Sequence, residues 1–423
     1  MANQLLTIDM ITREAVRLFK NSNLFIQNID TQYDSAFAID GAKIGSSLRI
    51  RLPNDYIVNE GPALQMQETN EQYTTLTIDT YLTIAVPFTS AERTLDIDDY
   101  SERVMAPIIN NISGQAAQRV MTKAAKNAAN LVANRNNAVA LNAVSATGEV
   151  ISPTSETFLL AGANLDDNSA DMMTRRVVND PTTDARTTVS LQGLLNPATV
   201  ISQQFMSGMM KNGLGFEKWF RDQTVRKHTS GTFSAGGTIN GGDQTTVPAG
   251  GTILVNAITG TLKQGDIITI DDVNAVNYVT KENLGTLRQF VVTADVANGA
   301  TLIPIFPGLV GPLAAAADGT QVQYQTVYEL PLNGAQVRLV TQSGEVYRRS
   351  LAYVQKAITM ATADLVIPRK AVEEAARAEF DGISMRVLTD YLPATDQLVT
   401  RTDLLFGSLT TRPQWVCGVA DRI

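Results

Sequence analysis

The sequence is poor in the residues that most often carry chemistry. It holds one cysteine, Cys417, and one histidine, His228, in 423 residues. A single cysteine excludes an intrachain disulfide and fits assembly in a reducing compartment. One histidine and one cysteine cannot build a zinc site of the ordinary ligand types. His228 sits in a polar stretch with nothing nearby to suggest a catalytic partner, so a plain surface histidine is expected. Cys417 lies between Trp415 and Val419 in a terminal strand pattern and is expected in the core, not as a nucleophile. No window holds about eighteen consecutive apolar residues, so no membrane span is expected. The opening MANQLLTIDM lacks a basic segment followed by an apolar run, so no signal peptide is expected.

Other chemistry is missing as well. Gly208 to Gly213 has the opening spacing of a phosphate loop, but Leu214 stands where lysine is required. Asp98-Asp99, Asp271-Asp272 and Glu373-Glu374 are neighbours in sequence, so their side chains diverge on a strand or a helix and form no dyad. No catalytic residue, cofactor or metal is therefore expected.

What is present is substantial. Hydrophobic residues make up 44% of the chain, enough for real cores in about two to four domains. The net charge is −8. A general nucleic-acid binder needs a basic face that releases counterions, and this acidic chain argues against one. An acidic wall that encloses DNA without sequence-specific binding remains compatible.

The chain in order alternates between helical and strand signals. Ile8, Ile11, Ala15, Leu18 and Phe19 fall at helical spacing, with Arg13, Arg17 and Lys20 on other faces. The segment that follows, to about Ala38, loses periodicity and reads as an extended arm. Gly41 to Pro87 reads as a long β-excursion. Leu48, Ile50 and Leu52 alternate with Arg49 and Arg51, and Leu76, Ile78, Leu82, Ile84 and Val86 alternate mostly with polar residues. The polar stretch Asn54 to Tyr73 between them carries Asp55, Glu60, Glu68 and Glu71. So long a hairpin is hard to bury in its own domain. A seat on a neighbouring subunit and an ordinary surface hairpin both stand as readings.

Tyr100 to Arg135 has the strongest helical pattern. Val104, Ile108, Ile112, Ala116, Val120 and Ala124 recur every fourth residue. Pro107 marks a kink or a later start. Thr157 to Leu160 is a short apolar run, and Leu165 to Arg186 is polar and reads as partly loop. Residues 187–200 read as a strand, a turn at Asn196-Pro197 and a helix start, with helix from Val200 to Met210. Gly215 to Lys227 brings Phe216, Trp219 and Phe220 near one face. His228 to Gly251 is rich in Gly, Ser and Thr and marks a boundary. Short β-branched and aromatic runs continue to about Leu332, and Asn333-Gly334 closes the block. Ile367 to Phe380, IPRKAVEEAARAEF, reads as a helix. An all-β block inside an α+β chain reads as an insertion whose ends return to one host domain.

Three segments carry a family resemblance. They are GFEKWFRDQTVRKHTS (Gly215 to Ser230), TLKQGDIITIDDV (Thr261 to Val273) and TTRPQWVCGV (Thr410 to Val419). Together with the order of elements, they resemble the P-twenty-two-type coat proteins of short-tailed phages over most of the chain. The resemblance implies an α+β chain with the Hong Kong ninety-seven fold and an inserted antiparallel β-barrel. Residues 1–40 would be the N-terminal arm, 41–87 the extended loop, and 88–150 the peripheral domain with its spine helix. Residues 151–228 and 334–381 would form the axial domain, 229–333 the inserted barrel, and 382–423 the return to the peripheral domain.

The resemblance further implies a major capsid protein of a tailed double-stranded-DNA phage. Such a chain self-associates as hexamers and pentamers into an icosahedral shell in the virion, after assembly in the host bacterial cytoplasm. A scaffolding protein and a portal would be its partners, with no membrane. Subunit or scaffold contacts are expected at Arg13, Arg17 and Lys20 on the terminal helix. On the hairpin they are expected at Arg49, Arg51, Asp55, Glu60, Glu68 and Glu71. The rival readings are a tail or decoration protein, and a carbohydrate-active enzyme with an accessory barrel.

Overall fold

The computed structural model describes residues 8–34, 47–56, 58, 61, 71–89, 105–135, 149–190, 213–312, 322–368, 374–393 and 397–423. The chain divides into two compact units. The first takes Met1–Ile50, Thr74–Met121 and Ile358–Thr411, and the second Arg51–Tyr73, Thr122–Ala357 and Arg412–Ile423.

The first unit is organised on a seven-stranded sheet. Its central strand is Gln397–Thr410. Along one edge it pairs with Ile383–Leu392 and then with Ile358–Ala363. Along the other runs the long strand Tyr73–Thr89, in register from Gln397↔Thr89 to Gly407↔Ile78. Ser47–Arg51 pairs with that long strand. The extended arm is only partly extended. Asn23 caps a short helix, Leu24–Gln27, through its side-chain oxygen, and Asp30–Asp34 then pairs in parallel with Ile358–Ala363.

The helix expected over Ile367 to Phe380 is corrected by the structure. Glu374–Phe380 is a strand, paired with Ile383–Leu392 across a two-residue turn, with Phe380 opposite Ile383. Asp381 and Gly382 both have positive φ, 51° and 76°. Aspartate-glycine is the pair a tight hairpin turn favours. The terminal helix Ile8–Ser22 packs on both of these strands. Long-range pairing and that packing outweigh the modest helix propensity of an Ala/Glu-rich segment.

The long helix is Ala106–Asn127. Pro107 falls in its first turn, where a missing N–H costs nothing, and this favours the later of the two possible starts. Tyr100 to Val104 lie outside the described residues. Ile108, Ile109, Ile112, Ala116, Ala117, Val120 and Ala124 are buried. At about 1.5 Å per residue the helix is roughly 33 Å long. It stops short of Arg135 because Asn130–Ala133 is a strand, paired in parallel with Val416–Arg422. Ile112 is 2% exposed, so Ile112→Ala is expected to cost the subunit about 2–5 kcal/mol through lost methylenes and a residual cavity. Denaturant melts of the monomer check this, and a wild-type midpoint would contradict it.

Among the described residues the second unit holds two sheets of four or more strands. One is six-stranded, with Val346–Val354 between Val416–Arg422 and Arg175–Asn179. The other is the half-barrel of the inserted block, in the order Val337–Leu339, Ile267–Val276, Asn283–Val292, Leu302–Phe306 and Gly251–Leu254. Successive side chains on a strand face opposite ways. Ile268, Ile270, Phe290 and Val292 therefore fill the barrel's own core, while Ile267 and Val291 pack with Leu131, Tyr347 and Ala420.

One further expectation in this unit needs correction, and two segments gain definite structure. Leu165 to Arg186 is partly loop, as expected, at residues 168–174, but it also holds the end of helix Ser155–Asp167, the buried strand Arg175–Asn179 and most of helix Pro181–Ser190. Polarity misleads there because Arg175 is buried with its charge met, 2.6 Å from Asp166 and bonded to the carbonyls of Gly162 and Ala170. Thr157 to Leu160 is helical, opened by the Thr154 N–H donating to Thr157 Oγ1 at 3.1 Å. Residues 187–190 finish a helix instead of starting a strand, with Thr187 and Thr188 hydroxyls bonded to carbonyls four residues back. Val200 to Met210 lies outside the described residues.

Candidate assembly interface

The hairpin is built as its alternation demands. Leu76 and Ile78 are buried, and Leu48, Ile50, Leu405 and Leu409 pack against them and against Ala361 and Ala363. Further along the same face, Thr80, Leu82, Ile84 and Val86 are only half-buried. The opposite face, with Tyr81, Thr83, Ala85 and Pro87, is exposed. The strand is thus anchored at one end and leaves apolar surface incompletely covered along the rest.

Among the hairpin candidates, Arg49, Arg51, Asp55 and Glu71 are all exposed. Arg51 lies 3.5 Å from Glu71, an exposed pair of the kind worth about 0–1 kcal/mol. Glu60 and Glu68 lie outside the described residues. In the second unit the hydroxyl of Tyr324 donates to Asn54 Oδ1 at 3.3 Å.

The terminal helix splits its three cations. Arg13 and Arg17 are exposed, and Arg17 is held by Glu14 through two hydrogen bonds of 2.8 and 2.6 Å. Lys20 is turned inward. It is 8% exposed, with Nζ 3.0 Å from Asp381 and 3.4 Å from Thr31 Oγ1. Its charge steadies the Asp381-Gly382 turn.

A buried carboxylate, unmarked in the sequence, ties the long strand to the sheet. Asp403 is 0% exposed. It accepts from Arg401 Nε at 2.7 Å and from Arg386, while Tyr81 Oη accepts from Arg401 at 2.7 Å. Burial pulls the Asp403 carboxyl upward in pKa. Hydrogen bonds from Arg386, Arg401, Thr83 and Tyr81 outweigh it and hold the group below the usual carboxylate range. Arg386 and Asp403 are cross-strand partners, a fact visible only once the register is known.

The lone histidine is not the surface residue expected. His228 is half-buried, with Nε2 2.8 Å from Asp266, itself 1% exposed. The turn before strand Ile267–Val276 brings that carboxylate in from 38 positions away. Asp266 also accepts from the N–H groups of Gly231 and Lys263. Ser230 is bonded to Thr341. The pair pins the entrance of the barrel and presents no nucleophile. Cys417 is fully buried, and burial pushes its thiol up to about 12, which leaves it almost wholly protonated at neutral pH. Among the described residues there is no metal-binding group of three ligands, and no helix is long and apolar enough to cross a membrane.

No curated protein matches the chain. Among solved structures it is similar to the capsid of Ralstonia phage GP4, at 9% identity over 93% of this chain and 87% of that one, with a TM-score of 0.44. It is also similar to the mature capsid of bacteriophage PhiM1, at 10% identity over 94% and 86%, with a TM-score of 0.43. The profile of the family described as "P22 coat protein - gene protein 5" matches residues 1–420. The chain therefore belongs to the P22 coat protein family and is a major capsid protein of an icosahedral shell.

Proposed function

We propose that the subunit closes its shell, as hexamers and pentamers, by laying the hairpin of Gly41 to Pro87 on a neighbour. The observation that carries this reading is the long strand Tyr73–Thr89, whose apolar face is buried at Leu76 and Ile78 and half-covered beyond them. Apolar area left wet in the free subunit is area that association removes from water. Arginines on the stem and carboxylates at the tip supply the orientation of that contact. Many such modest interfaces, repeated by symmetry, sum to a stable shell. Deleting Asn54 to Tyr73 is expected to leave a soluble, folded subunit that forms no shells under the electron microscope. Shells of normal appearance from that variant would overturn the reading.

Arg13 and Arg17 offer an exposed basic face on an acidic chain, suited to an acidic face of a scaffolding protein or of another subunit. Reversing both charges is expected to slow scaffold-assisted assembly by roughly tenfold at low salt, and less at high salt, where screening removes the steering. Light scattering at two ionic strengths reads this, and equal rates at low salt would remove the role. Assembly in the host cytoplasm, DNA enclosed without sequence-specific contacts and a portal at one vertex complete the proposal. Lys20, already committed to Asp381, is left out of it.

A further inference from the structure

A linked arc of cations and aromatics, called here the ring, lies in the second unit. Arg412 stacks on the Trp415 ring at 4.0 Å. The Trp415 indole N–H donates to the carbonyl of Asn168 at 2.9 Å. The Asn168 side-chain oxygen accepts from Arg288 at 3.0 Å. Arg288 and Lys281 both sit 5.7 Å from the centre of the Tyr278 ring. Lys281 Nζ donates to the carbonyl of Gln323 at 2.9 Å. The next residue, Tyr324, donates to Asn54 at the start of the hairpin tip. Asp55 follows, exposed beside Asn54, and its charge acts on both Lys281 and Arg412.

The ring is under-used in the single subunit. Arg288 is 3% exposed and its Nε has no partner. Lys281 and Arg412 are half-buried, and burial pushes the pKa of each down while Asp55 works against it. Among the described residues none of the three cations forms an ion pair within 4.0 Å, and the carboxylate whose charge reaches Arg288 from its own unit is Asp167. Desolvated cations over aromatic faces gain more from an incoming carboxylate than solvated ones do. The stretch Leu52 to Tyr73 holds four carboxylates, Asp55, Glu60, Glu68 and Glu71, and no lysine or arginine. Charge and place therefore name the same occupant.

We propose that this ring is the receptor for the acidic hairpin tip, filled by the chain's own Asn54 and Asp55 in the single subunit and by a second copy's tip in the shell. The proposal rests on the reading that the hairpin reaches a neighbour. It adds where the tip lands and that the free subunit occupies the seat itself, so that assembly exchanges one tip for another.

Charge swapping in mixed populations tests it. Asp55→Lys subunits and Lys281→Glu subunits each carry a like-charge clash, within themselves and with copies of themselves. Each is expected to assemble about tenfold more slowly than wild type at low salt. In an equimolar mixture every contact between unlike subunits is matched, and the rate should return to near that of wild type. Recovery in the doubly substituted subunit without recovery in the mixture would restrict the contact to one chain and overturn the proposal. Slow assembly of Lys281→Glu alone, with Asp55→Lys normal, would reassign the ring to another anion such as DNA phosphate and overturn it as well. Wild-type rates for both would do the same.

If Lys281→Glu does not fold, wild-type protein gives the answer. Shells built from equal parts of light and heavy-nitrogen subunits are treated with a carbodiimide, which joins Asp55 to Lys281 as an amide. Mixed-label linked peptides in shells support the exchange. Same-label pairs alone, or no such pair, overturn it. The hairpin deletion reads the underlying assembly role separately, so failure of the receptor is distinguishable from failure of that role.

Discussion

Asp403→Ala is expected to lower subunit stability by about 3 kcal/mol, because it strips a buried charge network of its single anion. Arg386 keeps only 12% of its side chain in water, so its guanidinium would stay buried with no counter-charge. Arg401 is 42% exposed and can turn outward, which holds the loss to the lower part of the range for a broken buried pair. Tyr81 would lose the anchor that binds the long strand to its neighbours. The same network sets a pH dependence. The Asp403 carboxyl is held below the usual range, so its stabilisation is complete above the unfolded value, near about 4, and fades as pH falls through the folded value. Urea melts of the monomer at neutral pH and at pH values below about 4 measure both effects. Asp403→Ala should flatten the acid limb as well as lower the neutral midpoint. A neutral-pH midpoint equal to wild type would contradict the account.

Gly407→Ala is expected to do comparable damage from a different cause. A Cβ at position 407 would meet the Thr77 carbonyl oxygen at 2.2 Å and the Ile78 Cα at 2.9 Å. Both are backbone atoms of the long strand, so no side chain can swing aside. The register between Gln397–Thr410 and Tyr73–Thr89 shifts between Phe406 and Gly407, and the missing side chain is what lets the two backbones close at that irregularity. Relief requires parting the two strands, which loosens the packing of Leu76 and Ile78, the long strand's buried anchors, against Leu405 and Leu409. The expected loss is about 3 kcal/mol, at the upper end for overpacking. It should come with faster hydrogen exchange across Thr74 to Thr83, since the hairpin's anchored end loosens first. Unchanged melts with unchanged exchange would show that the close approach has slack.

Both substitutions act on the element that the proposed assembly uses. A hairpin that presents its tip to a neighbour needs a firmly held strand beside that tip. Burial at Leu76 and Ile78, the Asp403 network and the close approach at Gly407 hold that strand.

Much of this was open to reading before any fold was known. Alternation at Leu76 to Val86 reported one apolar and one wet face, and in the structure the apolar face is buried at Leu76 and Ile78 and half-buried beyond them, opposite an exposed one. The stripe at Ile108, Ile112, Ala116 and Val120 reported a helix face, and all four are buried. These signals are local: a repeat of two or 3.6 residues records which face of an element meets the core. Membership of the coat family was equally legible, since it rests on segments of sequence.

Tertiary structure alone decided the rest, because pairing between distant residues leaves no local mark. Glu374–Phe380 had helix-forming composition but was captured by a sheet and covered by the terminal helix. Lys20 sat on the polar side of a helical pattern and was turned inward by an aspartate in a far-off hairpin turn. His228 met Asp266 across the barrel entrance, and Tyr81 met Arg401 across 320 residues. The ring from Arg412 to Asp55 joins five separated stretches. The sequence by itself determined which face of the long strand and of the long helix is apolar, that the inserted block is β-rich, and which family the chain belongs to. Register and packing determined which charges are buried together, since a charge enters the interior only where another part of the fold has placed its partner.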